Sequence, residues 1–550
     1  IYNKGNISLY NDKSAVYFIN PNGDVRWNHT GEDFEEAKFE SDVDSSPYST
    51  KIVDNNGNPV HSFVNKNGRI VENKDNHGNF QDMFYDNDDD DQREITIVNR
   101  ASGNKAIKTY GNGDVGVYLK TSKYISTANL DFKTKSIGGT WAPLTIYGDN
   151  SIGLYAPKDE TSKLTTKPSG TVIGNFAVNL GDINGSSYEY YESNKMANPS
   201  NDPDFATTAG TQGKTQINND KFIDKSYGIF SSIGVDFERD TTKLYSADRT
   251  NGKNIENGHQ INLYKNVRKS IGVLTGDGAT IKLGKGNISI NGGSDNTGII
   301  VGGTDTTVAG SKSTDGKVTG DVITIDGDSR NDRGNRAIYA GNNATNEITV
   351  NSVVSTDATD SITLVADKGA KITVNSVAAS PTIVGTSATT AKAGVKITGS
   401  EYKYDSNRVV SATDATSTDN VGAAYANNEV VITINRTALP SVADGPNISI
   451  KGGNDKHTNR SVGFGLFADN KAKINAQKNW IKVKDGSTNV ASLNKAKVDL
   501  TGATVDYDGE GYALYTDQSS GTDAIDMTGA TLELRGKAVG YVNDQNHPGN

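Results

Sequence analysis

Asp326 and Asp328, two residues apart in Ile325-Asp326-Gly327-Asp328, are the nearest this chain comes to a catalytic pair. On a strand they would share one face. Paired carboxylates on one face, or carboxylates holding calcium, are what a solenoid polysaccharide lyase or glycoside hydrolase needs. Asp-Gly is also a common turn pair, so an ordinary acidic turn is the stronger reading. Gly327-Asp328-Ser329 starts like a serine-nucleophile loop, but Arg330 follows in place of glycine and no His–Asp pair accompanies it. The six histidines (His29, His61, His77, His259, His457, His547) are scattered, with no His-x-x-x-His pair to seat a metal. The acidic run Asp86-Asn87-Asp88-Asp89-Asp90-Asp91 lacks the alternating ligands and central glycine of a calcium loop, and a solvated loop is favoured. With no cysteine, thiolate catalysis, cysteine-based zinc sites and iron–sulfur clusters are excluded. No metal site and no cofactor is expected.

Binding chemistry is better supplied. Tyr188, Tyr190 and Tyr191 stand beside Glu189 and Glu192, a grouping of rigid aromatic area and carboxylates that suits sugar faces or a protein hot spot. The same tyrosines would also serve to pin their loop to the body of the protein. Phe34, among Asp33, Glu35 and Glu36, is the next such position. Asn-x-Ser/Thr triplets such as Asn343-Ala344-Thr345 and Asn435-Arg436-Thr437 are expected by chance in a chain this rich in those residues.

The elements that would position these residues are announced by a returning phrase: a small residue, then aliphatics, then an aromatic or bulky apolar residue. It reads Gly116-Val117-Tyr118, Gly153-Leu154-Tyr155, Gly228-Ile229-Phe230, Gly272-Val273-Leu274, Gly298-Ile299-Ile300 and Ala337-Ile338-Tyr339. It continues as Gly422-Ala423-Ala424-Tyr425, Gly465-Leu466-Phe467, Gly511-Tyr512-Ala513-Leu514-Tyr515 and Gly540-Tyr541. Lead residues are separated by 298 − 272 = 26 and 540 − 511 = 29, or by longer steps such as 272 − 228 = 44. A second phrase repeats at 526 − 499 = 27: Asp499-Leu500-Thr501-Gly502-Ala503-Thr504 and Asp526-Met527-Thr528-Gly529-Ala530-Thr531. Such periods mark a repeat architecture, in which each unit buries its apolar face against its neighbours.

Within each unit, period-two alternation and Gly/Asn/Asp corners indicate several short strands with no helix-length segment. Helical repeats are excluded, leucine-rich spacing is absent, and the marks of a blade propeller are missing. The fold expected is therefore all-β: a right-handed parallel β-helix, or solenoid, with large loop excursions near the N-terminus. The phrase is expected to occupy one equivalent corner in successive coils. Its organisation reads as N-terminal strands joining the β-helix (1–28), an irregular acidic and aromatic excursion (29–93), β-helix (94–156), a second excursion (157–222) and the shaft (223–550).

At 550 residues and 34% apolar content, with 59 Gly and 12 Pro, the chain is too long for one ordinary globular core, but a solenoid has no such limit. A net charge of −10 argues against a nucleic-acid partner. No apolar stretch is long enough to span a membrane. The lack of a leader before Ile1, and an end just after a repeat phrase, suggest a processed or truncated piece of something longer. The absence of cysteine suits export of an unfolded chain through a narrow pore, because disulfides formed too early would lock its loops.

On Asp499–Thr504, Gly511–Tyr515 and Asp526–Leu534 the chain resembles type V autotransporter passengers, more narrowly the giant fusobacterial outer-membrane adhesins. The match is close over the C-terminal part and looser back to residue 95. The resemblance implies a cell-surface protein exported through the outer membrane and held by a C-terminal membrane barrel outside this sequence. Its implied partners are host-cell glycoproteins, glycans or immune receptors, and other bacteria. The excursions carry no family motif, so no ligand residue is implied by it. A phage tail-fibre shaft, the remaining reading, requires a trimer, whereas an adhesin of this kind is expected to be a monomer.

Overall fold

In the computed structural model the described residues are 107–119, 125–132, 143–157, 171–181, 222–239, 258–302, 313–327, 333–375, 422–434, 436–455, 460–521 and 523–544. Separate strands are also described at 2–3, 7–9, 15–19, 38–40, 51–53, 59–60, 63–66, 69–72, 93–99, 188–189, 216–217 and 394–401. The protein is a parallel β-solenoid. Each coil lays down three short strands, and each strand pairs in parallel with its counterpart one coil on. Lys473–Asn475, Trp480–Lys484 and Thr488–Ser492 make one coil. They pair in register with Lys497–Asp499, Thr504–Gly509 and Tyr512–Asp517 of the next. Three walls result. The third, which runs from Ala15–Ile19 to Val539–Asp544, contains 13 strands. At about 4.8 Å per coil the stack is ~60 Å long.

The first and second walls join where one long strand serves both. Thr171–Leu180 is such a strand: its first half pairs with Thr127–Asp131 and its second half with Leu144–Ile146. It bends at Gly174, whose φ of 104° is open to glycine and whose Cβ would lie 2.1 Å from the Leu130 carbonyl oxygen. The sequence-based boundary of the second excursion is corrected here, because residues 171–180 of the segment 157–222 belong to the shaft. By contrast, Lys38–Glu40, Lys51–Val53 and Pro59–Val60 form a small antiparallel sheet, and Phe63–Lys66 pairs antiparallel with Arg69–Glu72. Neither set pairs with the parallel walls.

The returning phrase lies within the third wall, not at a corner as expected. Register aligns Gly116, Gly153, Gly228, Gly272, Gly298, Ala337, Thr363, Ala423, Gly465, Asn489, Ala513 and Gly540 in one column of mostly small residues. The reason is close approach from the second wall. A Cβ on Gly228 would lie 2.7 Å from Ile261 Cγ2, one on Gly272 2.8 Å from Ile288 Cγ2, and one on Gly465 2.8 Å from Ile481 Cγ2. Each glycine thus receives a branched side chain from across the core, so large and small residues interdigitate.

Gly511 and Gly540 are not on one rung: Gly540 stands opposite Ala513, and Gly511 precedes the wall's strand Tyr512–Asp517. Gly511 sits at the corner, where its N–H donates to Tyr507 Oη (2.8 Å) and a Cβ would meet that oxygen at 2.3 Å. Gly422 is one residue out of the column and lies under the Phe464 ring.

The aromatic of the phrase faces away from the core, except in the last copy, where Tyr541 stands on the rung of the core residue Leu514. Leu154 and Ala156 belong to the central cluster, while Tyr155 between them packs with Ile152, Tyr227, Phe230, Ile271 and Leu274 in a separate one. Alternation puts these on opposite faces of the wall. Further along the shaft Ile362, Val365, Tyr425 and Phe464 form a second outer cluster, with Tyr339 and Phe467 packed against it. The rings stack coil over coil, with centroids 5.3 Å apart for Tyr155 and Phe230 and 5.6 Å for Tyr425 and Phe467.

The corner before the third wall carries a left-handed residue in successive coils: Asn150, Lys225, Lys269 and Asp295, at φ between 51° and 56°. The next residue points inward and is small and polar. Ser226 Oγ accepts the Ser151 N–H (3.2 Å), Ser270 Oγ that of Ser226 (2.9 Å), Asn296 Oδ1 that of Ser270 (3.1 Å) and Asn335 Oδ1 that of Asn296 (3.0 Å). All are buried. This polar spine satisfies main-chain donors that no strand pairing reaches, which is why Ser and Asn are kept inside an otherwise apolar column.

Candidate functional site

Of the residues proposed from sequence for ligand contact, Tyr188–Glu189 is a two-residue strand. It pairs antiparallel with Gln216–Ile217 as a self-contained stem outside the three walls. Tyr190, Tyr191, Glu192 and Phe34, like the acidic run 86–91, lie outside the described residues. Asp326 is exposed at the end of the strand Gly316–Asp326, and its carbonyl accepts the Gly292 N–H (2.8 Å) within the coil-to-coil ladder. Asp328 lies outside the described residues. Among the described residues no three His, Cys, Asp or Glu side chains are grouped to hold a metal ion.

Sequence reasoning missed the corner after the third wall, three residues beyond the outer aromatics. Here the strands end in Asp367-Lys368-Gly369, Asn427-Asn428-Glu429, Asp469-Asn470-Lys471 and Leu493-Asn494-Lys495. Lys368, Asn428, Glu429, Asn470, Lys471, Asn494 and Lys495 are all left-handed, with φ from 50° to 66°. Main-chain bonds tie the corners together: Gly369 N–H to Asn428 O (2.7 Å), Glu429 N–H to Asn470 O (2.9 Å) and Lys471 N–H to Asn494 O (2.9 Å). A column of side-chain amides reinforces them. Asn428 Nδ2 donates to Asp367 Oδ1 (2.8 Å), Asn470 Nδ2 to Asn427 Oδ1 (2.7 Å) and Asn494 Nδ2 to Asp469 Oδ1 (2.7 Å). Asparagine recurs here because it tolerates the left-handed region and reaches a partner one coil back.

The result is an open groove of ≈ 730 Å³ along the shaft, from Ala344 past Lys368, Glu429, Lys471 and Lys495 to Ser519. Gly369 occupies the position filled by Glu429, Lys471 and Lys495 in later coils, so that rung carries no side chain and lies beside Ala344. Lys471 Nζ donates to Glu429 Oε1 (2.6 Å); that bond holds the Glu429 carboxyl below its ordinary range and raises the Lys471 ammonium. Lys368 and Lys495 make no ion pair among the described residues. The lining side chains carry three lysines and one glutamate on a chain of net charge −10, with Asp367, Asp469 and Asp517 bonded into the corner behind them. The recurring signal was present in the sequence as Asn428-Glu429, Asn470-Lys471 and Asn494-Lys495, each three residues after an outer-face position.

No protein-family model, curated protein or solved structure matches this chain at a significant level.

Proposed function

We propose that this chain is the exposed part of a bacterial surface adhesin, exported through the outer membrane. In this reading it contacts host-cell glycans or receptors, and other bacteria, without a catalytic step. The observation that supports it best is the division of labour in the backbone. A parallel stack of 13 coils supplies length and rigidity, while among the described residues the strands of the segments that leave it pair with one another. Rigid scaffolds that carry separate loops are the usual platform for recognition. Along the shaft the coils fill their interiors from within the one chain, in keeping with a monomer, and the last coil among the described residues leaves Leu532, Leu534, Val539 and Tyr541 exposed.

Ligand contact falls on the excursions, with Tyr188, Glu189, Tyr190, Tyr191 and Glu192 first and Phe34 next. Deleting residues 185–205 and closing the gap with a glycine linker is expected to abolish adhesion to host cells and partner bacteria while β-sheet circular dichroism persists. Undiminished adhesion after this deletion and after removal of 29–92 would overturn the assignment. The catalytic alternative has its own readout. Release of reducing ends or unsaturated products from glycans, lost in Asp326→Asn, would replace adhesion by turnover as the function.

A further inference from the structure

We infer that the groove at the corner after the third wall is a binding site for a linear acidic polysaccharide, a chain of sugars carrying carboxylates or sulfates. Three observations point to that chemistry. The groove runs along the stacking axis, so it offers the same groups repeatedly to a ligand that is itself a repeat: Lys368, Asn428, Asn470 and Asn494 occupy equivalent positions in successive coils. Three coil steps separate Lys368 from Asn494 and the adjacent Lys495, about 14 Å at 4.8 Å per step. The two lysines without an ion pair therefore stand at opposite ends of an extended track.

Between them lies an amide column. Asn428, Asn470 and Asn494 each use one Nδ2 hydrogen within the corner, which leaves a second hydrogen for sugar oxygens. The carboxylates behind the column keep their charge: Asp367 and Asp469 accept those amides and Asp517 accepts the Asn494 N–H (2.9 Å), so the ligand's anionic groups are placed at the two ends, on Lys368 and Lys495, and the amides between them meet neutral sugar oxygens. Glu429, the only acid among the described residues lining the groove, is held by Lys471.

The same lining disfavours other polyanions. Among the described residues it contains no aromatic side chain on which a base would stack. Its main-chain N–H groups at Gly369, Glu429 and Lys471 are bonded coil to coil, so no free edge is offered to an acidic peptide. The acidic chain as a whole gives no general attraction for anions, and binding here must come from the groove.

The test uses the 550-residue protein against heparin (sulfate and carboxylate), hyaluronan (carboxylate alone) and neutral dextran, by calorimetry at two salt concentrations. At least one acidic polymer is expected to bind and dextran is not. Binding of heparin alone assigns the groove to sulfates; binding of both assigns it to carboxylates. The double variant Lys368→Asn/Lys495→Asn keeps residues that tolerate the left-handed corner. It is expected to weaken binding at least tenfold and to flatten the salt dependence by about two charges. Equal binding of dextran, no binding of either acidic polymer, or unchanged affinity in the double variant would overturn the assignment. The inference does not depend on the excursions as ligand contacts: deletion of 185–205 is expected to leave polymer binding intact, and its loss there would move the ligand from the groove to the excursion.

Discussion

Gly272→Val is expected to destabilise the coils around it by about 3 kcal/mol, at the upper end of what overpacking a filled core costs. Gly272 has an ordinary strand backbone, so the penalty is one of space. Its Cβ alone would stand 2.5 Å from the Gly298 carbonyl oxygen and 2.8 Å from Ile288 Cγ2. Neither neighbour can retreat: the first belongs to the next coil's strand, and the second is buried in the opposite wall. Valine adds two more carbons in the same gap. The matched control is Ala337→Gly in the same column, expected to cost about 1 kcal/mol through backbone entropy and a lost methyl. Because a stack opens locally, hydrogen exchange of strands Gly286–Asn291 and Thr297–Val301 is the appropriate measurement. Equal protection in Gly272→Val and the unaltered protein would show that the column tolerates bulk.

Acid is expected to loosen the shaft at His259. This ring is fully buried in the second wall, between Phe176 and Gly286 in register. Nδ1 lies 3.0 Å from the Leu283 carbonyl oxygen, and Nε2 has no partner. Burial lowers its pKa to about 4, against smaller opposing effects of the Leu283 carbonyl and of Asp321. The unfolded chain would bind this proton near pH 6.5. The unfolded state therefore holds more protons between these values, and stability falls as pH drops. The contribution is intact above pH 6.5 and is lost progressively down to about pH 4. At pH 5 the loss is about 2 kcal/mol, the difference between the two titrations at that pH. His259→Phe, which continues the ring at Phe176, is expected to remove that slope while losing the Leu283 contact at every pH. Urea midpoints at pH 7 and pH 5 for both proteins isolate the effect, because other carboxylates titrate alike in each. A loss on acidification of the same size in His259→Phe would locate the sensitivity elsewhere.

The walls and their pairing were legible because alternation and the returning phrase are local in sequence. Ile7–Leu9 and Ala15–Ile19 are strands within the segment 1–28 read as N-terminal strands joining the β-helix, and the Asp499 and Asp526 copies are register partners. The column behind the phrase was only partly legible, because it selects for size and not for glycine: Thr363, Ala423, Asn489 and Ala513 fill rungs that the spelling does not mark. Asn489 does so by donating Nδ2 to the Ile481 and Asp506 carbonyls (3.0 and 2.9 Å), a solution no periodicity announces. Thr171–Leu180 escaped because a strand that bends through two walls buries Val172, Ile173, Phe176, Ala177 and Val178 and loses its period of two. The groove escaped for another reason. Its residues come from different coils, and only the register brings them into one line.

The stacking that gives the shaft its length also sets how it would carry load. Lys473 and Lys497 are partners in successive coils, so one turn there holds 497 − 473 = 24 residues. Folded, it adds about 4.8 Å to the shaft; drawn out, it reaches ~80 Å. Since a coil is bonded only to its two neighbours, tension applied at one end would detach turns in succession and leave the remainder intact. Each release would feed slack into the tether. The expected record from single-molecule pulling is a staircase of discrete extensions, not one rupture, with refolding against the surviving coil as template when the load drops. A single all-or-none rupture would contradict it. On such a record the shaft would be a spool under tension as much as a spacer at rest.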